Sequence, residues 1–218
     1  MTKRSKKIVY DSQGNQYELT GKIGEGGQGI VCSTDRPGTL VKIINTTDKN
    51  KIEKAMKQIN WIGQQDISDL NMAFPQIAIT KPRHGYVMEL MDGLISLEDV
   101  LNSSFNDLQD NGSTEEYLNT GGVARRIKLL LEIATTLGEL HSRGYAYGDL
   151  SPANIFVSKS IGHSQVWFID CDNICFNERE GVTHYTRRVT VHLKLFVMSR
   201  MLIALQMHGL LLLSPLNY

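Results

Sequence analysis

Cysteine is scarce in this 218-residue chain, and its three residues, Cys32, Cys171 and Cys175, cannot all pair and are too scattered to frame a disulfide scaffold. Buried reduced thiols are the plainer reading. Cys171 and Cys175 with His163 and His184 could be drawn as zinc ligands, but their spacing fits no common zinc pattern. An excess of charge is also missing. Lys and Arg number 23, as do Asp and Glu, so nothing in the balance favours a nucleic acid or an anionic membrane as partner. The basic start MTKRSKK runs into IVYDSQGNQYELTG without an apolar segment, so it does not read as a secretory signal, and a cytoplasmic location is expected. Internal repeats and low-complexity tracts are absent from the sequence as well.

What is present suits an ordinary globular protein: 41% hydrophobic and 21% charged residues, enough for one sizeable core or two small lobes sharing a cleft. The first ninety or so residues read mostly as short strands. YELTGKIGEGGQGIVCST has two strand-like runs broken by glycines, TLVKII is a compact buried strand, and QIAIT and HGYVMELMDG are two more. Between them KNKIEKAMKQINWI spaces Ile52, Met56 and Ile59 at helical intervals. Beyond residue 91 the character changes. ISLEDVLNSSF tends to helix, FNDLQDNGSTEEYLNTGG reads as loop, and VARRIKLLLEIATTLGELHSRG is a helix expected to bury Ile127, Leu130, Ala134, Leu137 and His141, with Gly144 as its C-cap. ANIFVS and QVWFID follow as strands around KSIGHS.

Four stretches carry chemistry when weighed together. GEGGQGIV places Gly24, Gly26 and Gly29 in a hairpin between two strands, where backbone N–H groups can approach phosphate oxygens; a strand rather than a helix after them argues against a dinucleotide fold. Lys42 in LVKII is either a lysine on the wet face of a strand or an ammonium held under that hairpin by a carboxylate. Glu53, the only glutamate between Lys42 and Glu89, is by exclusion the expected partner. In YGDLSPANIF, Asp149 can accept a proton from an attacking hydroxyl and Asn154 can offer a carbonyl oxygen to magnesium; the bland alternative is an Asx turn before a strand. In WFIDCDN, Asp170 ends an apolar strand, a usual place for a metal-binding carboxylate, while Asp172 is a second ligand or a solvated turn residue, the turn being favoured.

Gly24, Gly26, Gly29 and Val31, then Lys42, Glu53, YGDLSPAN and FIDCDN, fall in the order and approximate spacing of the protein kinase signatures, and residues 17 to about 177 resemble a bacterial relative of the eukaryotic-type protein kinases. The resemblance implies an α+β, two-lobed kinase-like fold: 1–91 a β-rich lobe with glycine-rich loop and hinge, 92–186 part of a helical lobe. It implies ATP and Mg2+ as cofactors, an unidentified protein substrate accepting the γ-phosphoryl group on serine or threonine before tyrosine, no nucleic-acid partner and no membrane span. Gly24, Gly26, Gly29 and Val31 would cover the nucleotide, Lys42 would meet its α- and β-phosphates with Glu53 orienting it, and Asp149 would be the base. Asn154 and Asp170 would hold magnesium, and the backbone from Glu89 to Met91 would read adenine with Met88 at the gate.

The departures shape the alternatives. Tyr147-Gly148-Asp149 lacks the arginine that would meet a phosphorylated activation loop, Ser151 replaces the lysine usual in serine/threonine kinases, and Asp170-Cys171-Asp172 lacks the glycine of the metal-binding loop. Glycine before the base also resembles small-molecule kinases of the aminoglycoside and choline type, and a non-catalytic nucleotide-binding pseudokinase is a further alternative. After residue 186 nothing matches a kinase. Leu195 to Leu213 is long and apolar, yet Arg200, Gln206 and His208 argue against a membrane span. With arginine as CGN and leucine as CTN, reading Arg187 to Lys194 one nucleotide earlier permits Thr-Pro-Gly-Tyr-Gly-Ala-Pro-Glu, and the same frame permits Asp-Ala-Trp-Ser-Leu across Gln206 to Leu211. The expectation is a frameshift near codons 185 to 187, with 187–218 out-of-frame and the kinase-like chain truncated.

Overall fold

A computed structural model describes residues 7–27, 29–89 and 91–176. The tail at 187–218, its frameshift and the last ten residues of the expected 92–186 segment lie outside the described residues. Two compact units emerge, one from the described residues of Met1–Asp92 with Trp167–Ile174, the other from those of Gly93–Val166 and Cys175–Tyr218. The return of Trp167–Ile174 to the first unit differs from the expected division, and its cause is pairing across the sequence. Phe168 N–H donates to Asn71 O, Ala73 N–H donates to Phe168 O, and Gln58 Nε2 donates to Ile174 O.

The first unit is built on six antiparallel strands: β1 (Lys7–Asp11), β2 (Gln16–Glu25), β3 (Gly29–Thr34), β4 (Thr39–Ile44), β5 (Ile77–Lys81) and β6 (Gly85–Glu89). Their order is β1-β2-β3-β4-β6-β5, and the sheet closes into a barrel where Tyr10 meets Lys81 and Asp11 meets Ile79. In β4 successive side chains face opposite ways. Val41 and Ile43 pack with Val9, Tyr17, Ile79 and Val87, whereas Leu40 packs with Ala78, Tyr86, Met88 and Ile59. Both faces are covered, which is why the strand reads as an unbroken apolar run, and each such aliphatic side chain contributes roughly 1.5–3 kcal/mol by leaving water.

Helix α1 (Lys49–Ile62) begins where Asp48 accepts from Asn50 and Lys51 N–H, and its buried residues are Ile59 and Ile62. Two glycines let neighbouring strands approach β4 closely. A Cβ on Gly29 would lie 2.6 Å from Ile43 O, and one on Gly85 would lie 2.0 Å from Lys42 O.

The second unit holds β7 (Leu94–Ser96), α2 (Leu97–Asn111), α3 (Glu115–Asn119), α4 (Gly122–Ser142), β8 (Tyr145–Tyr147) and β9 (Ile155–Ser158), with β7 antiparallel to β9. Helix α2 runs six residues past the expected helical segment. Ser96 caps its start by accepting from Asp99 N–H, Glu98 and Asp99 suit its first turn, and no breaker intervenes before Gly112, which ends it at φ 62°. A second difference lies in α4, whose buried face is Arg125, Arg126, Leu129, Ile133, Thr136 and Leu140 rather than the expected Ile127 stripe. Strand β10 (Val166–Phe168) leads the chain into the first unit, and β11 (Ile174–Phe176) leads it out. The turn before β10 closes as expected, with Ser158 N–H donating to Gln165 O at 3.1 Å. No helix among the described residues is long and apolar enough to cross a membrane.

Candidate active site

Lys42 stands in the middle of β4, opposite Val31 on β3 and Tyr86 on β6, and only 6% of it is exposed. A buried ammonium needs counter-charge. It comes from Asp170, which forms a close ion pair with Lys42 Nζ, and from Asp172, whose Oδ2 lies 2.8 Å away. Burial alone would draw the Lys42 pKa down, but Asp172 and Asp170 together outweigh it and leave it above the ordinary lysine value. Asp172 feels the opposite conflict, burial lifting its carboxyl while Lys42 pulls it back.

The geometry of this segment follows from its alternation. Cys171, between the two aspartates, is fully buried, and its Sγ donates to Phe168 O at 3.5 Å. Its thiol is pushed well above the usual range by burial and then by the two carboxylates, so it is an anchor rather than a nucleophile. Asp170 adopts φ 59° and ψ 42°, the only non-glycine residue with positive φ among the described residues, and aspartate is one of the few types that tolerates this region. The turn Cys171–Asn173 then brings Asp172 back toward the same ammonium. Two carboxylates against one lysine leave a net negative charge. Tyr86 Oη and Asp172 Oδ1 are both buried and interact with each other, though short of a well-formed hydrogen bond. Burial, then Asp172 and Asp170, hold the Tyr86 hydroxyl well above its ordinary pKa.

Two expectations are corrected here. Glu53 does not meet Lys42: it lies on the exposed side of α1 with its carboxylate 2.7 Å from Lys57 Nζ, a pairing favoured by the i,i+4 spacing. Asp172 is not a solvated turn residue, since its side chain is 18% exposed and holds Lys42. Sequence reasoning missed both because a strand residue and a carboxylate 130 positions later are brought together only by the docking of β10's end onto the first unit. The available signal was an aspartate two residues beyond Asp170, where glycine is usual.

Gly24, Gly26 and Gly27 stand at the β2–β3 turn with nothing within 4 Å of a would-be Cβ, and Gly26 N–H donates to Gly29 O at 2.9 Å. Gly29, by contrast, has a packing reason of its own at Ile43. Met88 is buried beside Leu40, Glu89 pairs with Thr39 at the end of β6, and Met91 is 38% exposed.

The other unit carries Asp149 and Asn154. Pro152–Asn154 forms a short 3-10 turn closed by Asn154 N–H donating to Ser151 O at 3.0 Å. From it Asn154 Nδ2 donates to the Asp149 carbonyl at 2.9 Å and to Asp149 Oδ2 at 3.2 Å. The spacing of five residues thus ties acid and amide into one loop, with the carboxylate facing solvent.

A family model described as "Lipopolysaccharide kinase (Kdo/WaaP) family" matches residues 78–180. Cyclin-dependent kinase-like 2 of Pongo abelii is 29% identical over 151 residues, covering 66% of this chain and 27% of that protein. Serine/threonine-protein kinase PknG of Mycolicibacterium smegmatis is 29% identical over 155 residues, covering 68% of this chain and 19% of that protein. The chain is protein kinase-like. The match with this kinase-like chain spans about a quarter or less of the length of these relatives.

Proposed function

We propose that the chain binds ATP with magnesium and transfers the γ-phosphoryl group to a protein hydroxyl, serine or threonine before tyrosine. Carrying this reading is Lys42, buried in a strand and held by carboxylates at the end of an apolar one. The donor chemistry suits magnesium: the cluster is net negative and Asp170, part-exposed beside Lys42, offers carboxylate oxygens. Asp170 and Asn154 would be its ligands, and the bound ion would neutralise charge on the phosphates during transfer.

The chain's own residues supply the rest. Gly24, Gly26 and Gly29 leave backbone N–H groups free of side chains over the phosphates, and Lys42 meets the α- and β-phosphates. Val31 and Met88 offer apolar surface to adenine, with the backbone of Glu89 and Met91 reading its edge. Asn154, donating to Asp149, fixes the carboxylate that takes the acceptor's proton as its oxygen bonds to the γ-phosphorus and the bond to the departing ADP oxygen breaks.

Labelled-ATP transfer to protein acceptors tests this. Asp149→Asn should lower the rate roughly 10²–10⁴-fold with nucleotide binding retained. Transfer at the wild-type rate would sink the catalytic assignment. If wild type binds nucleotide and transfers nothing, the pseudokinase reading takes its place. A second reading, a sugar hydroxyl of a lipopolysaccharide as acceptor, is favoured by the family match over residues 78–180, and transfer to that saccharide but not to protein would select it.

A further inference from the structure

We propose that Asp172 is the residue that positions Lys42 for phosphate contact, in place of any carboxylate from α1. The proposal rests on the nucleotide-binding reading of Lys42 and deepens it. Lys42 has two partners, and that reading assigns Asp170 to magnesium. Once Asp170 turns to the ion, the remaining contact is Asp172 Oδ2 at 2.8 Å, and it sits on rigid ground. Fully buried Cys171 precedes it, and Gln58 Nε2 grips Ile174 O at 2.6 Å just beyond. A charge-assisted contact from a side chain only 18% exposed keeps the ammonium oriented.

Helix α1 is poorly placed to do the same. Glu53 is 65% exposed and already paired with Lys57. At 100° per residue it projects opposite Ile62, which is fully buried, so turning Glu53 inward would bring Ile62 out to water. The aspartate at the position where the kinase signature has glycine thus supplies what the missing glutamate contact does not. The carboxylate that orients Lys42 then comes from the Asp170–Asp172 segment, and α1 contributes through Gln58, which holds that segment at Ile174 O, rather than through a carboxylate of its own.

The test is titration of the full chain with a magnesium-loaded fluorescent ATP analogue, with melting curves to verify folding. Asp172→Asn should weaken binding about tenfold, the worth of one charge-assisted hydrogen bond. Asp172→Glu should restore part of it, and Glu53→Gln, a surface change, should stay within about twofold of wild type. Because Asp172 acts through Lys42, the double variant Lys42→Met/Asp172→Asn should bind no more weakly than Lys42→Met alone. The proposal is overturned if Glu53→Gln costs as much as Asp172→Asn, if Asp172→Asn binds like wild type, or if the Lys42 and Asp172 losses add. Failure of the underlying reading looks different: Lys42→Met would then leave analogue binding unchanged.

Discussion

Asp11 shows what a single carboxylate must have to stay in a barrel wall. It is 3% exposed, and its oxygens accept from Gln13 N–H, Asn15 N–H, Asn15 Nδ2 and Tyr17 Oη at 2.8 to 3.0 Å. Burial pushes its pKa up, but the bonds from Asn15, Tyr17 and Gln13 together pull harder and leave it below the ordinary value. A folded pKa below the unfolded one means the stabilisation is complete above the unfolded value of about 3.9 and is lost as pH falls through the folded value. Asp11→Ala should cost about 2–3 kcal/mol in urea denaturation at pH 7, because a buried hydroxyl and three amide groups lose their acceptor. The gap between variant and wild type should narrow below about pH 4. None of this was legible in DSQGNQY, where the sequence shows a polar turn and hides that its first residue points inward.

Among elements, β4 is the one whose neighbours leave no room. Gly85→Ala on β6 should destabilise by at least about 1–3 kcal/mol, since the added methyl meets the Lys42 carbonyl at 2.0 Å and backbone must shift. Gly26→Ala, in open space at the β2–β3 turn, should change the melting free energy by no more than about 0.5 kcal/mol. Equal effects in thermal melts would contradict the packing described for Gly85. Helix α4 marks where pattern reading fails at this scale. Leu129, Leu130 and Leu131 put apolar side chains on adjoining faces, so periodicity alone does not choose between them, and the two arginines weigh against the correct one. Their guanidinium groups find acceptors inside: Arg125 donates from its two terminal nitrogens to Thr120 O and Ser158 O, leaving only its buried Nε unpaired, and Arg126 donates to Gly122 O and Ser104 Oγ. Buried cations that find carbonyls can line a packed face, and a hydropathy pattern has no symbol for that.

At the scale of the whole molecule, the legible part was what lies in short strings: the glycine turn, the Asp149–Asn154 loop, the strands around Lys42 and the aspartates after β10. What was illegible depends on segments far apart in sequence, such as the Lys42–Asp172 contact and the return of Trp167–Ile174 to the first unit. Because the proposed nucleotide-binding lysine and its carboxylates all belong to that unit, bound nucleotide should stabilise it by mass action. A magnesium–ATP analogue at a hundred times its Kd should add about 2.7 kcal/mol to unfolding, and Lys42→Met should abolish most of that gain at the same analogue concentration. The barrel has a further consequence. With β1 seated between β2 and β5, each of the six described barrel strands has a neighbour on both sides, so the barrel lacks a free edge strand onto which a foreign strand could zip. β-augmentation, which needs a free edge strand, is therefore not the way this barrel would engage a partner.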